Sequence, residues 1–255
     1  MPNTTTVVKI GGSTLGSQDT SLQDVVALHR EGARPVVVHG GGAMITDWLG
    51  KMNIESTFVD GLRSNSEEAL KVVVGVLRGV VNAQLVGEIV GLGGNAVGLS
   101  GVDGGAVKAR RYDERLGYVG EVTGVDGTFI QSLLDAGVIP VIAPIGLEPP
   151  SQPLNINADT VAGEVARALK ADSLVFLTDV DGLLDGAKHL IPEVGPARVK
   201  ELRAEGVLSG GMIPKLDACF RAAEVGVRAF IANGTQPATL RRIAGGEAVG
   251  TRITE

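Results

Sequence analysis

Hydrophobic residues follow two patterns along this chain. Short apolar or β-branched runs predict β-strands at 6–10, 35–38, 138–143, 173–177, 227–232 and 249–253. Three shorter runs at 96–99, 106–110 and 118–122 predict a strand and a hairpin over the sheet edge. Longer segments with apolar residues three or four positions apart predict helices at 20–31, 43–52, 64–92, 129–136, in an Ala- and Val-rich segment up to 167, and at 196–204 and 237–243. This alternation predicts an α/β fold, in which helices cover both faces of a mainly parallel sheet and ligands bind at the carboxyl ends of the strands.

Composition narrows the class of protein. The 255 residues include 44% hydrophobic residues and 37 glycines but only 3% aromatics, which is typical of an α/β protein with many glycine turns. A formal net charge of -6 argues against a nucleic-acid-binding surface. Cys219 has no partner for an internal disulfide, and the N-terminus lacks a basic and apolar leader, so we expect a cytoplasmic protein. Glycine and charged residues interrupt every apolar stretch before about 18 residues, so no membrane span is expected.

Two glycine segments follow the first two predicted strands. Lys9 lies just before Gly11 and Gly12, where a ligand can approach the backbone, and this suggests a phosphate contact. The alternative is a strand-end lysine that reaches solvent. The second strand runs into His39 and three glycines ahead of a helix, an arrangement in which backbone N–H groups bind an anion. Neither a Walker A motif nor a Rossmann fingerprint is present, and His39 is interpreted as a packed or hydrogen-bonded residue rather than a metal ligand.

The next segments suggest a substrate clamp and a subunit contact. Arg63 follows Asp60-Gly61-Leu62 at the mouth of a loop, and its guanidinium group suits a carboxylate, although a solvated loop arginine is the alternative. The helix predicted at 64–92 has apolar residues on more than one face. A helix of that kind is buried on several faces, so a partner subunit across it is plausible.

Three polar segments in the second half of the chain carry further candidates. Asn157 and Asp159 precede a helical pattern, as an ordinary N-cap does, and a helix N-terminus also favours an anion. The strand at 173–177 ends in a Thr-Asp-Val-Asp-Gly-Leu-Leu segment, whose paired aspartates suggest either a metal site or a turn that receives a nucleotide. A glycine segment then leads to Lys215 at the start of a helix.

Seven motifs occur in one order along nearly the whole chain. They are Lys-Ile-Gly-Gly at 9–12, His-Gly-Gly-Gly at 39–42, Gly-Leu-Arg at 61–63, Asn-Ala-Asp at 157–159, Thr-Asp-Val-x-Gly-Leu-Leu at 178–184, Gly-Gly-Met-Ile-Pro-Lys at 210–215 and Gly-Thr-Arg-Ile at 250–253. With these seven motifs in this order, the chain closely resembles the amino acid kinase superfamily and, within it, the acetylglutamate kinases. The resemblance implies a three-layer αβα sandwich of the carbamate kinase-like type. It also implies one domain with two lobes, 1–170 for acetylglutamate binding and dimerisation and 171–255 for ATP.

The resemblance assigns roles to individual residues. It implies that Lys9 and Lys215 stabilise the transferring phosphoryl group and that Asp159 holds both lysines. Gly41 and Gly42 would bind phosphoryl or substrate oxygens through their N–H groups, Arg63 would pair with the α-carboxylate, and Asn157 would contact the substrate. The nucleotide would be bound by Gly11, Gly12, Thr178, Asp179, Val180, Asp181, Gly182, Leu183, Leu184, Val207, Leu208, Ser209, Gly211 and Met212.

The implied reaction is transfer of the γ-phosphoryl group of ATP to the γ-carboxylate of N-acetyl-L-glutamate, a step of arginine biosynthesis. A carboxylate is already ionised at pH 7, so the catalytic problem is alignment and positive charge. Mg²⁺ would be bound mainly through the nucleotide phosphates, with no protein ligands. Because only eight residues precede Lys9, we expect no additional N-terminal helix, no strong arginine feedback, and a homodimer formed through residues 66–92. A PII-type regulatory partner has no support in the residues themselves.

Two other functions fit parts of the sequence. A kinase for carrier-protein-bound aminoadipate or glutamate in lysine biosynthesis shares Gly-Val-Asp-Gly-Gly at 101–105, but the motifs at 157–159 and 210–215 favour the acetylglutamate enzyme. A non-catalytic ligand sensor is a different class of protein, and it has no need for Lys9, Asp159 and Lys215 together.

Overall fold

A central sheet organises the chain in this computed structural model, which describes residues 3–11, 20–59, 62–208 and 210–254. Within those residues the sheet has eight strands, in the spatial order β12 (Glu193–Val194), β14 (Thr251–Ile253), β13 (Arg228–Asn233), β11 (Ser173–Thr178), β1 (Thr5–Ile10), β2 (Arg34–His39), β8 (Ile139–Ala143) and β5 (Ala96–Ser100). Neighbouring strands are parallel except for β13 and β14, which are antiparallel. The predicted mainly parallel sheet is therefore confirmed.

Helices cover both faces of this sheet. They are α1 (Ser21–Arg30), α2 (Gly42–Lys51), α3 (Glu67–Val74), α4 (Asn82–Gly91), α5 (Gly127–Asp135), α6 (Ala158–Leu169), α7 (Pro196–Ala204), α8 (Met212–Ala223) and α9 (Thr239–Ala244). Side chains alternate along each strand, so that Val7 and Phe176 enter one core with α6 and α8, whereas Val8 and Val175 enter the other with α1 and α4. The result is the three-layer α/β sandwich that the strand and helix pattern predicts.

A smaller four-stranded barrel lies beside the sheet, and half of it was not predicted. Its strands are β6 (Val107–Arg111), β7 (Val119–Val125), β9 (Ile145–Glu148) and β10 (Gln152–Ile156), in the order β10, β7, β6 and β9. The sequence pattern predicts no strand between 144 and 156, where prolines are frequent, yet β9 and β10 pair antiparallel there. A short hairpin of β3 (Phe58–Val59) and β4 (Leu62–Arg63) lies apart from both sheets.

The longest helix is continuous over Glu67–Gly91 and changes its winding in the middle. A π-helical segment, Gly75–Val81, joins α3 to α4. Among the described residues, this helix of 25 residues is long and apolar enough, by length and composition, to cross a membrane. The sequence pattern does not predict a membrane-spanning helix here, because Arg78 and several glycines interrupt the apolar runs. Core helices of globular proteins share these properties, and 44% of the apolar window is buried inside the protein.

The two halves of the chain meet at the centre of the sheet. Strands from the residues before 170 form one side and strands from the residues after 171 form the other. They join where β1 pairs with β11, and there Lys9 lies opposite Phe176 in the register. Because the strands are parallel, β1, β2 and β11 all end at the same edge of the sheet, which is where the polar segments following them converge.

Candidate active site

Helix α6 starts at this carboxyl edge, and its N-terminus is fixed by Asn157. The Asn157 Oδ1 atom accepts hydrogen bonds from the backbone N–H groups of Asp159, at 2.8 Å, and Thr160, at 3.2 Å. The predicted N-cap is therefore confirmed. Because the side-chain oxygen is the acceptor, the Nδ2 group of Asn157 is left as a donor at the edge of a cavity.

Asp159 lies between two lysines that come from opposite ends of the chain. Lys9 Nζ, at the end of β1, is 2.8 Å from Asp159 Oδ1, and Lys215 Nζ, in the first turn of α8, is 3.0 Å from Oδ2. All three side chains are largely buried, with exposed fractions of 10% for Lys9, 7% for Asp159 and 17% for Lys215. Buried charges are stable only when paired, and this group keeps one net positive charge.

The two lysines are held differently. Lys215 donates a hydrogen bond to Asp159 Oδ2 and another to the Gly211 carbonyl at 3.1 Å. Lys9 forms an ion pair with Asp159 Oδ1 whose direction does not meet hydrogen-bond geometry, so Oδ1 has no hydrogen-bonded partner. An ammonium group has three donors, so both lysines retain N–H groups for an anionic ligand.

The glycine segment after β2 forms the N-terminus of α2. Gly41 is the N-cap and Gly42 the first helical residue, so their N–H groups have no intrahelical acceptor. A Cβ atom on Gly41 would lie 2.7 Å from Leu77 Cδ2, whereas one on Gly42 would meet nothing within 4 Å. An alanine at 41 would therefore need the Leu77 side chain of the π-helical segment to move, whereas an alanine at 42 would not.

A cavity of about 230 Å³ opens beside these groups. It is lined by residues 40–42, by Phe58, Leu62 and Arg63 of the β3–β4 hairpin, and by residues 155–158 at the start of α6, with Leu77 and Pro144 also in its wall. The cavity therefore combines apolar side chains with donors from the glycine segment, from Asn157 and from Arg63, which suits a small polar ligand.

Arg63 is held in this cavity by neutral partners. Its guanidinium group donates to Thr46 Oγ1 at 2.7 Å and to Ser56 Oγ, and it stacks on the Phe58 ring with 4.7 Å to the centroid. Partial burial lowers the pKa of Arg63 below its ordinary value. Within the described part of the chain, no carboxylate pairs with it. Three of its five N–H donors stay available, as recognition of an external carboxylate requires. Thr46 and Ser56 are not predictable as partners of Arg63, because single hydroxyl residues on a helix and in a loop belong to no sequence motif.

The predicted nucleotide turn after β11 is tied to neighbouring strands. The Thr178 hydroxyl lies within donating distance of two carbonyl oxygens, that of Val180 at 2.9 Å and that of Ala232 at 3.3 Å, and Asp181 Oδ1 accepts a hydrogen bond from Asn233 Nδ2 at 2.9 Å. Gly182 has a φ of 149°, and a Cβ atom there would lie 2.6 Å from Thr251 Oγ1. These contacts give the turn a fixed shape.

The other predicted nucleotide residues differ in exposure. Asp179 and Val180 are exposed, while Leu183 and Leu208 lie in the core, so only their backbone groups face a ligand. Leu184 forms an isolated bridge with Leu190, Val207 and Met212 pack at the edge of the core, and Gly211 precedes α8. Gly11 directly follows β1, and Gly12 and Ser209 lie outside the described residues. The paired aspartates belong to no metal-binding group among the residues described.

Comparison with known proteins identifies the family. The amino acid kinase family matches residues 4–233. An acetylglutamate kinase from Synechococcus sp. is 45% identical over 258 aligned positions, which cover 98% of this chain and 86% of the relative. The crystal structure of smu.665 from Streptococcus mutans superposes with a TM-score of 0.86 at 29% identity, covering 98% of both chains. Carbamate kinase from Giardia lamblia shares the fold, with a TM-score of 0.67 at 16% identity over 99% of each chain. The chain therefore belongs to the amino acid kinase family.

Proposed function

We propose that this protein is an acetylglutamate kinase, which transfers the γ-phosphoryl group of ATP to the γ-carboxylate of N-acetyl-L-glutamate and releases N-acetyl-L-glutamyl 5-phosphate and ADP. The observation that carries the proposal is the pairing of Lys9 and Lys215 with one buried carboxylate, Asp159, beside a glycine segment. The similarity to acetylglutamate kinases over nearly the whole chain supports the choice of substrate.

The acceptor needs positive charge rather than a base. A free carboxylate has a pKa near 4.3 and is ionised at neutral pH, so the barrier lies in bringing it against the anionic phosphates. The ammonium groups of Lys9 and Lys215 stabilise the charge of the phosphoryl group in flight, and each retains N–H donors for this purpose. Asp159 is engaged by both lysines and acts by holding them in place.

The acceptor is oriented by groups around the cavity. The N–H groups of Gly41 and Gly42 bind phosphoryl or γ-carboxylate oxygens at the N-terminus of α2. Arg63 binds the α-carboxylate with the donors that Thr46 and Ser56 leave unused, and Asn157 Nδ2 donates to the substrate. Rigid placement of both reactants lowers the entropic part of the barrier.

The nucleotide binds on the other side of the lysines in this proposal. Gly11, Gly12, Thr178–Leu184 and the segment Val207–Met212 bind it, so that residues 1–170 hold the acceptor and residues 171–255 hold ATP. Lys215 connects the two regions, because it contacts Asp159 and also the carbonyl of Gly211, at the end of the glycine segment.

Mg²⁺ fits this site as a partner of the nucleotide. No cluster of acidic, histidine or cysteine side chains suited to a metal occurs in the described ranges, and the Asp159 carboxylate is already paired with two cations. Magnesium commonly keeps several waters and binds substrate phosphates, so the ATP phosphates rather than side chains would hold it. Bound there, it neutralises charge on the phosphates.

A hydroxamate assay tests the proposal. Purified protein is incubated with MgATP, hydroxylamine and N-acetyl-L-glutamate, and the acyl phosphate is trapped as a coloured hydroxamate while ADP is measured separately. We expect equal amounts of hydroxamate and ADP with N-acetyl-L-glutamate, and at most slow turnover with free L-glutamate. Faster turnover on carrier-protein-bound aminoadipate or glutamate supports the alternative kinase, and ATP binding without turnover on any acceptor supports a sensor.

We also propose that the protein is a cytoplasmic homodimer that associates along the helix over 67–91. Val90 on this helix is 53% exposed and Val97 on the adjacent edge strand β5 is 38% exposed, so an apolar surface remains at this side of the sheet. Light scattering tests the assembly, and a monomer or a hexamer at micromolar concentration contradicts it.

A further inference from the structure

His39 is a buried histidine that the proposed reaction does not use directly. It ends strand β2, has no exposed surface, and precedes the glycine segment. Its Nδ1 atom lies 2.8 Å from the carbonyl oxygen of Gly40, and its Nε2 atom lies 3.0 Å from Nδ2 of Asn82, the first residue of α4. The imidazole therefore bridges the long helix and the glycine segment.

The direction of each hydrogen bond in this bridge follows from its neighbours. Asn82 Oδ1 accepts from Arg78 Nη1 at 3.2 Å, and Asn82 Nδ2 donates to the Val141 carbonyl at 2.8 Å. The amide orientation is thus set, and Nδ2 is the donor toward His39 Nε2. His39 Nε2 is therefore the acceptor, which leaves the proton on Nδ1 to be donated to Gly40.

The surroundings of His39 favour this neutral form. Burial lowers the pKa of His39 from 6.5 to about 4, and the positive charges of Lys9 and Arg78 act in the same direction, while the hydrogen bond to Gly40 opposes them. Arg78 also donates to the Gly98 carbonyl at 2.9 Å and lies 3.5 Å from Asp103. Because Arg78 is held by groups outside the site, Asn82 and His39 have a fixed support.

The Gly40 carbonyl matters because of the peptide plane to which it belongs. In a trans peptide the C=O of residue 40 and the N–H of residue 41 lie in one plane and point in opposite directions. Glycines on both sides of the bond permit this plane to rotate at little cost. The His39 hydrogen bond holds the carbonyl, and so it sets the direction of the Gly41 N–H group.

We propose that Asn82 and His39 are positioning residues that aim the Gly41 N–H group at the oxygens of the transferring phosphoryl group. This inference rests on the proposed function, since it assigns a purpose to the orientation of that N–H group. Leu77, in the π-helical segment, lies close to Gly41, because a Cβ atom at position 41 would be 2.7 Å from Leu77 Cδ2. The sequence pattern alone does not predict this bridge, although Asn82 is a polar residue in an otherwise apolar helical pattern.

Kinetics with His39 variants tests the positioning role. Loss of one well-aimed transition-state donor typically costs 10²–10³ in rate, and a misdirected N–H group keeps part of that stabilisation. We therefore expect His39→Leu to lower kcat by roughly 10- to 100-fold with little change in KM for ATP. His39→Gln keeps one acceptor and one donor, and we expect it to recover most of the lost kcat. His29→Leu, near the C-terminal end of α1, is the matched control. A folded His39→Leu protein with normal kcat, or a His39→Gln protein as slow as His39→Leu, overturns the proposal.

Nitrogen NMR of the histidine rings tests the bridge without turnover. The chain has three histidines, and comparison with His39→Gln assigns the signals of His39. We expect a protonated Nδ1, an unprotonated Nε2, and no titration of His39 between pH 5.5 and 8, as follows from a strongly lowered pKa. A proton on Nε2, or titration near pH 6.5, overturns the bridge even if the wild-type protein is fully active. A wild-type protein that shows the expected tautomer but has no kinase activity contradicts the proposed function, and with it the positioning role. Failure of the hydrogen-bonded bridge and failure of the proposed function therefore give different results.

Discussion

Replacement of Asp159 by asparagine removes the negative charge between Lys9 and Lys215 and preserves the shape of the side chain. The start of helix α6 is unaffected, because the Asn157 side chain accepts from the backbone N–H of residue 159, and that group is the same in aspartate and asparagine. Two largely buried ammonium groups would then face each other without compensation. Two unit charges about 6 Å apart repel by about 3 kcal/mol at an effective dielectric constant of 20. Breaking a buried ion pair by removing one partner typically costs about 3–5 kcal/mol.

We therefore expect Asp159→Asn to lower the free energy of unfolding by about 3–5 kcal/mol and to lower kcat by at least 10²-fold. The loss of kcat has its own cause, because the lysines turn away from each other and from the phosphoryl group. Urea unfolding measures the first quantity, and steady-state ADP release at saturating MgATP and N-acetyl-L-glutamate measures the second.

Glu164→Gln is a matched control on the same helix. The Glu164 carboxylate also lies between two cations, Arg167 Nη1 at 3.1 Å and Arg221 Nε at 3.4 Å, but it is outside the cavity and 20% exposed. We expect this variant to lose some stability and to keep kcat within about twofold of wild type. If Asp159→Asn retains near-normal kcat, or loses no more kcat than Glu164→Gln, the role of Asp159 in holding the two lysines is refuted.

Five further substitutions and one change of pH have defined outcomes. Lys215→Ala should lower kcat by roughly 10²–10³ with an intact circular dichroism spectrum, and near-normal kcat contradicts its catalytic role. Arg63→Lys should raise KM for N-acetyl-L-glutamate by about tenfold or more and leave KM for ATP nearly unchanged, because an ammonium group cannot replace the guanidinium fork, and an unchanged acceptor KM argues against the clamp. Gly41→Ala should lower kcat, since its Cβ meets Leu77 Cδ2 at 2.7 Å, and Gly42→Ala, with free space around its Cβ, should lower it less. Because the pKa of His39 is lower in the folded protein than in the unfolded chain, the unfolded chain binds a proton first as the pH falls. The free energy of unfolding should therefore be highest above pH 6.5 and fall by up to about 3 kcal/mol as the pH drops toward 4. Urea unfolding of the His39→Gln protein should show a weaker dependence of the free energy of unfolding on pH, and an unchanged dependence contradicts this role of His39.

The sequence predicts the main sheet well because burial dominates there. Strands β1, β2, β8 and β11 are covered on both faces, and they appear in the sequence as short, nearly continuous apolar runs. The start of α6 was equally predictable, since a carboxamide at a helix N-terminus makes a local hydrogen bond. Both features depend on residues close together in the sequence.

The barrel strands and the π-helical segment were not predictable in the same way. Proline favours a loop by local criteria, whereas β9 and β10 are stabilised by pairing with each other and with the hairpin of β6 and β7. Residues 75–81 wind as a π-helix, and apolar periodicity does not distinguish that winding from an α-helix.

The candidate site follows the same division. Each motif taken alone leaves an ordinary structural interpretation open, and the ordered set of motifs supplies the connection between Lys9 and Lys215, which are 206 residues apart. The partners of Arg63 and His39, namely Thr46, Ser56 and Asn82, come from other elements of the fold. Asn82 is the one with a usable signal, because a polar residue within an apolar helix pattern needs a buried partner.

The measurement that tests the proposed function most directly is acyl phosphate formation by the wild-type protein. With MgATP, hydroxylamine and N-acetyl-L-glutamate, we expect hydroxamate and ADP to form in equal amounts, and Lys215→Ala protein to form at least 10²-fold less per unit time. Wild-type protein that forms no hydroxamate from N-acetyl-L-glutamate, while it binds ATP and is folded, contradicts the assignment.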